Sequence, residues 1–192
     1  MTMSKKVKKK PMAATVSGDI DELNEKDKLS FMKKEYKLAR DTIPNYEVAK
    51  NEMNKYIVDL PQNPDYQDLS EINKLYALAQ SYSSRVTAIE MIAIDNQARW
   101  KRLVELLEAY IEDKRSELLV SEEFEEYTVQ KAEAKAHTLL KKEFKTLRRL
   151  KNKAEEANSF YRMIATKKKD LTSVLTTLGK QVKALSLEKS IQ

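Results

Sequence analysis

Residues 70–110 read SEINKLYALAQSYSSRVTAIEMIAIDNQARWKRLVELLEAY, and their apolar spacing decides the fold. One line runs Ile72, Ala79, Val86, Ala93, Trp100, Leu107. A second, three residues on, runs Leu75, Tyr82, Ile89, Asn96, Leu103, Tyr110. Repeats of seven offset by three are the a and d positions of a coiled coil, which helical winding gathers onto one stripe. The pattern predicts one long helix from about Asp68 or Ser70 to Leu119. Val120-Ser121-Glu122-Glu123 then interrupts it. Ser121 suits the N-cap of a new helix, and Glu122 and Glu123 suit its positive end.

The stripe resumes as Ala136, Leu140, Glu143, Leu147, Leu150, Ala154, Ala157, Tyr161, Ile164, Lys168, Leu171, Leu175, Leu178, Val182, Leu185. Its spacing alternates four and three, which predicts a second helix running from the interruption to about Leu185. A turn near residue 120 folds the two into an antiparallel hairpin. In that register Glu143 falls beside Asn96 and Gln97, and Lys168 beside Glu71 and Ile72, so polar breaks meet polar partners. The helices differ in length, about 50 against about 65 residues, or roughly 75 Å against 97 Å. Residues from about 172 to 186 are then an overhang. Leu171, Leu175, Leu178, Val182 and Leu185 are the candidate oligomerisation residues. They pack on a second subunit, in preference to the short N-terminal helices.

Upstream, Pro44, Pro61 and Pro64 punctuate the chain, and no proline follows Pro64. Two short helices are expected, about Lys28–Arg40 with Phe31, Met32, Tyr36 and Ala39 on one side, and about Asn45–Asp59 with Val48, Met53, Tyr56 and Ile57. Residues 1–25 combine a lysine run, Lys5 to Lys10, with few large apolar residues, and read as disordered. The expected organisation is a disordered basic arm over 1–25, two short helices over 26–64 and the hairpin with its overhang over 65–192. The fold class is all-α.

Composition narrows the function. Only two glycines, Gly18 and Gly179, are present among 192 residues, so a phosphate-cradling loop has no material. Cysteine is absent, which removes disulfides, thiolate metal sites and cysteine nucleophiles and fits a reducing cytoplasm. The single histidine, His137, reads as an ordinary helix-surface residue. The carboxylates Glu122, Glu123, Glu125 and Glu126 read as solvated charges, since a hairpin offers no cleft. The expectation is therefore no enzyme, no cofactor and no metal. No stretch has the length of a membrane span, and the residues after Lys10 are too short and polar a run for a secretory signal.

The net charge of +6 is unevenly placed. Residues 128–192 carry sixteen basic and six acidic side chains, whereas 71–127 carry seven and twelve. Lys141, Lys142, Lys145, Arg148, Arg149, Lys151 and Lys153 lie within thirteen residues that hold one acid, Glu143. Both helically spaced rows, Lys141–Lys145–Arg148 and Lys142–Arg149, fall off the apolar stripe. Spaced cations on a rigid helix suit a phosphate backbone. The predicted register brings Arg99, Lys101 and Arg102 close to this run. The expected nucleic-acid contacts are thus Arg99, Lys101, Arg102, Lys141, Lys142, Lys145, Arg148 and Arg149. Phe144, Phe160, Tyr161 and Trp100 lie near enough to supply stacking, although Tyr161 and Trp100 are stripe residues and read first as core.

The order of features also matters: Arg99-Trp100-Lys101-Arg102 through Tyr110, an acidic turn, then Tyr127-Thr128-Val129-Gln130-Lys131-Ala132-Glu133-Ala134-Lys135-Ala136 and the run to Val182. Over about residues 80–185 this resembles the UvsY-type recombination mediators of tailed phages. The resemblance implies a small, helical, oligomeric protein that binds single-stranded DNA. It also implies two protein partners, a RecA-type recombinase that is helped to load and a single-strand-binding protein. Arg99, Lys101 and Arg102 are the contact residues it favours. The alternative is a structural or scaffolding coiled-coil protein, such as a virion assembly factor or adaptor.

Overall fold

The computed structural model describes residues 25–61 and 68–191. Its elements are α1 (Glu25–Thr42), α2 (Tyr46–Asn54), α3 (Leu69–Val120), a 3-10 turn (Glu122–Phe124), α4 (Val129–Leu139) and α5 (Lys141–Ile191). No strand occurs among the described residues. The arm expected over 1–25 lies outside them, except for Glu25, which opens α1.

The Asp68 carboxylate caps α3 by accepting from the Ser70 amide at 3.3 Å. The helix then runs for 52 residues and packs along the 51 residues of α5. Ile72, Ala79, Val86 and Ala93 meet Ile164, Leu171 and Leu178 in one buried cluster. Trp100, Leu103, Leu107 and Ile111 meet Leu150 and Ala157 in the next. Ile111 apart, these residues belong to the stripes expected on the two helices, and the all-α antiparallel hairpin stands.

The register differs from the expected one. Gln97 donates to the Asn158 side chain at 2.8 Å, Lys151 pairs with Glu108 at 2.7 Å, and Lys168 pairs with Glu90. Glu143 therefore does not lie beside Asn96 and Gln97, nor Lys168 beside Glu71 and Ile72. The cause is the connection. Ser121 does not cap a long helix; its hydroxyl turns back to donate to the Leu118 carbonyl at 2.7 Å. A 3-10 turn follows, and Phe124 plugs the tip against Ala132, Ala136, Leu118 and Leu119. Then α4 crosses over, and Leu140 (φ −88°, ψ 14°) kinks the chain into α5. The return path thus consumes residues 121–140, and every pairing downstream shifts.

That shift removes the overhang. The paired helices are almost equal in length, and Gly179 lies against the Tyr76 ring. Leu171 and Leu178 are fully buried within the chain, and Leu175, Val182 and Leu185 pack on the same cluster. The oligomerisation role expected of these five loses its premise, because α3 already covers them.

The short helices lie on the hairpin. α1 packs on α3, and α2 on α5. Ala39 is buried, and Met32 packs beside it against the second cluster. α2 ends at Asn54, earlier than expected, so 56–61 runs without helix. Alternation then replaces helical spacing: Tyr56 and Val58 turn inward and Ile57 outward. Val48, expected to be apolar contact, is exposed.

Candidate nucleic-acid interface

The basic run opens α5. The Leu140 kink starts the helix there, and Phe144, Leu147 and Leu150 join the core. That fixes which side the cations occupy. Lys141, Lys142, Lys145, Arg148 and Arg149 are all exposed. No ion pair engages any of the five among the described residues. Residues three and four apart stand about 5–6 Å from one another at Cβ, so Lys141, Lys145 and Arg148 form one close row, and Lys142 and Arg149, about two turns apart, each neighbour Lys145. Glu143 is half-buried in the first turn, where the positive helix end favours a carboxylate.

The run does not continue uniformly. Lys151 is paired with Glu108, and Lys153 with Glu156 at 2.6 Å. The free cationic face is therefore compact, two to three turns of one helix.

The cations of α3 are placed differently. Arg99 Nη1 contacts Glu35 of α1 at 3.1 Å, and its Nε contacts Asp95 at 2.8 Å. The Asp95 hydrogen bond is the main reason its pKa is raised still further, with burial opposing. Arg102 lies over the Phe31 ring, 5.2 Å from its centre. Both hold α1 against the hairpin. Lys101 faces Glu105 at 3.6 Å with both side chains largely exposed, an arrangement that contributes little. In the observed register Arg99 lies level with about Asn158. That is nine to seventeen residues of helix from Arg149 and Lys141, or roughly 14–26 Å. The expected merging of the two basic groups does not occur.

The aromatic residues also differ from expectation. Trp100 and Phe160 are buried, and Tyr161 is half-buried against the core. Phe144 stacks on His137 with ring centres 4.5 Å apart. His137 is exposed, as a helix-surface residue should be. Lys135, off the main run, is held by Tyr127 and Phe124, with its ammonium 4.6 Å and 5.2 Å from the ring centres. None of the four expected aromatics stands free beside the cations as a base-stacking platform.

A cleft of about 850 Å³ opens between the α1–α2 turn and α5, with Tyr36, Arg40, Tyr46, Lys50, Trp100 and Lys153 among its walls. Its cations are answered by neighbouring acids: Arg40 by Asp41, Lys50 by Glu47, Lys153 by Glu156. It therefore concentrates little positive potential. Among the described residues no cluster of three or more His, Asp or Glu is arranged to hold a metal ion, and no helix is long and apolar enough to cross a membrane.

No known protein family, no curated protein and no solved structure matches this chain.

Proposed function

We propose that the protein is a single-stranded-DNA-binding accessory protein whose contact face is the start of α5, and that it assists the loading of a RecA-type recombinase. One observation carries the DNA reading: Lys141, Lys142, Lys145, Arg148 and Arg149 are exposed, without an ion pair among the described residues, and fixed on one rigid helix. Holding five like charges together without compensating acids opposes folding through self-repulsion, and a polyanion relieves that repulsion. The recombinase and the single-strand-binding protein as partners rest on the UvsY-type resemblance alone.

Binding of a fluorescent oligodeoxynucleotide, followed by anisotropy across a salt series, tests the reading. Five neutralised phosphates give a slope of log affinity on log salt of about −3.5, from about −0.7 per phosphate on a single strand. The triple variant Lys141→Glu, Lys145→Glu, Arg148→Glu should bind several-fold more weakly, with a flatter slope and unchanged helicity. Deleting residues 1–10 tests the lysine arm as a rival site. If the deletion abolishes binding and the triple variant does not, the α5 face is not the site. If the intact protein fails to bind at low salt, the scaffolding alternative replaces the DNA reading.

A further inference from the structure

A second heptad stripe runs along α3, about 160° round from the stripe that meets α5. Ala77, Ser84, Met91 and Ala98 form one line of it, and Gln80, Thr87 and Ile94 the other. None is charged, although 34% of the chain is. All but the half-buried Thr87 are exposed, Met91 to 69% and Ile94 to 47%. None belongs to any of the three buried clusters. An amphipathic helix normally turns charge outward on the face opposite its core, so three heptads of exposed, uncharged surface mark a contact.

We propose that this stripe is the seam of a homodimer, in which two α3 helices pack antiparallel about a two-fold axis between Ser84 and Thr87. The stripe is self-complementary in that register. Ile94 meets the partner's Ala77, Met91 meets the partner's Gln80, and Thr87 meets the partner's Ser84. Each bulky side chain is thus answered by a small or flexible one. A parallel, in-register pair would crowd Met91 and Ile94 against their own copies at one end and leave Ala77 and Ser84 facing a gap at the other, losing contact there. Charge beside the seam agrees. Lys74 is exposed and has no ion pair among the described residues. The antiparallel register brings it within two residues of the level of the partner's Asp95, about 3 Å along the axis; that carboxylate also pairs with Arg99 of its own chain but stays 54% exposed, open to a second cation. Flanking pairs of this kind select partner and orientation in coiled coils. Within the chain, α5 and α1 approach α3 on other faces, α1 through Asn96 and Arg99. The seam is a short one, about 33 Å from Ala77 to Ala98, so the dimer is a weak one that forms in the micromolar range. It does not depend on the α5 cations.

Sedimentation of the full chain across a concentration series reads the dimer directly. Met91→Glu should weaken dimerisation at least about tenfold while leaving helicity intact, because Met91 makes no core contact. Lys74→Glu should also weaken it, and adding Asp95→Lys should restore it. Orientation is read from single cysteines, since the chain has none of its own. With a short bismaleimide, Ser84→Cys should crosslink into dimers. Ala98→Cys should not, being about 37 Å from its copy. Equal crosslinking of both variants overturns the antiparallel arrangement. A wild type that stays monomeric at about 200 µM, well above the micromolar range expected of so small an interface, or a Met91→Glu variant that still dimerises like wild type, overturns the seam.

Discussion

The side-chain amide of Asn96 donates to the Ala39 carbonyl at 2.7 Å, tying the last turn of α1 to the middle of α3. Asn96 is fully buried at a d position, and its other polar atom accepts from the Tyr46 hydroxyl at 2.6 Å. One side chain thus satisfies a late carbonyl of α1 and the first residue of α2. Asn96→Ala should lower stability by about 1–3 kcal/mol, the cost of leaving buried polar groups unpaired. Hydrogen exchange should show α1 opening before the hairpin. Unchanged protection in α1 would mean that the apolar contacts around Ala39 hold it alone.

Tyr46 gives this network a pH dependence. Burial is the main cause of its raised pKa, and the Trp100 indole partly offsets it. The folded state therefore keeps the phenolic proton to higher pH than the unfolded chain does. The resulting stabilisation is complete below the ordinary tyrosine value of about 10 and is lost as pH rises through the folded value. Wild type should exceed Tyr46→Phe in stability near pH 8, and the gap should close as pH passes about 10. A gap that stays constant in urea melts at both pH values would place the hydroxyl's contribution elsewhere.

Arg99 separates structure from binding. The Glu35 side chain is only 10% exposed and depends on Arg99 for its pairing across α1 and α3. Arg99→Ala should cost about 2 kcal/mol of stability, within the range for a hydrogen bond to a charged group. The salt slope for DNA should not change. If the slope flattens as it does for the Lys141, Lys145, Arg148 variant, Arg99 reaches the nucleic acid after all.

Lys168 and Glu90 form a partly buried pair across the hairpin, with side chains 39% and 15% exposed. Lys168→Met should destabilise by about 1–3 kcal/mol, because it leaves Glu90 without its partner. Adding Glu90→Leu should recover most of the loss, since an apolar pair replaces a desolvated one. Calorimetric unfolding of the two variants decides this; a double variant no better than the single would point to a packing defect.

Leu178→Asp tests the register. In an overhang this change would reduce self-association and spare the fold. Leu178 is instead fully buried against α3. The variant should lose more than about 3 kcal/mol of stability, with its far-UV helical signal melting at lower urea concentration. A stable variant of reduced mass would restore the overhang.

Residues 69–120 show why the long helices were legible. Two unbroken heptad lines and the lack of proline after Pro64 leave a helix as the simplest way to bury the stripe. On α5 the same periodicity placed Leu150, Ala157, Ile164, Leu171 and Leu178 in the core, and it set Lys141, Lys145 and Arg148 off the stripe on the solvent side. Local spacing fixes both properties, because a helix maps sequence position onto direction. Register is a different kind of quantity. A seven-residue pattern pairs nearly as well after a slip of one or two heptads, so the hairpin's alignment depends on how the connection is spent. No proline or glycine marks the kink at Leu140. Only the packing of Phe124 on Ala132 and Ala136 shows that 121–140 turn the chain instead of extending the second helix. The fate of each cation depends on that alignment too. Arg99 and Lys145 carry the same charge in the sequence, yet Glu35, from a helix 64 residues away, binds one and no acid among the described residues binds the other. Periodicity settled which side of each helix faces the core; long-range packing decided which residues stand opposite, and hence which charges stay free.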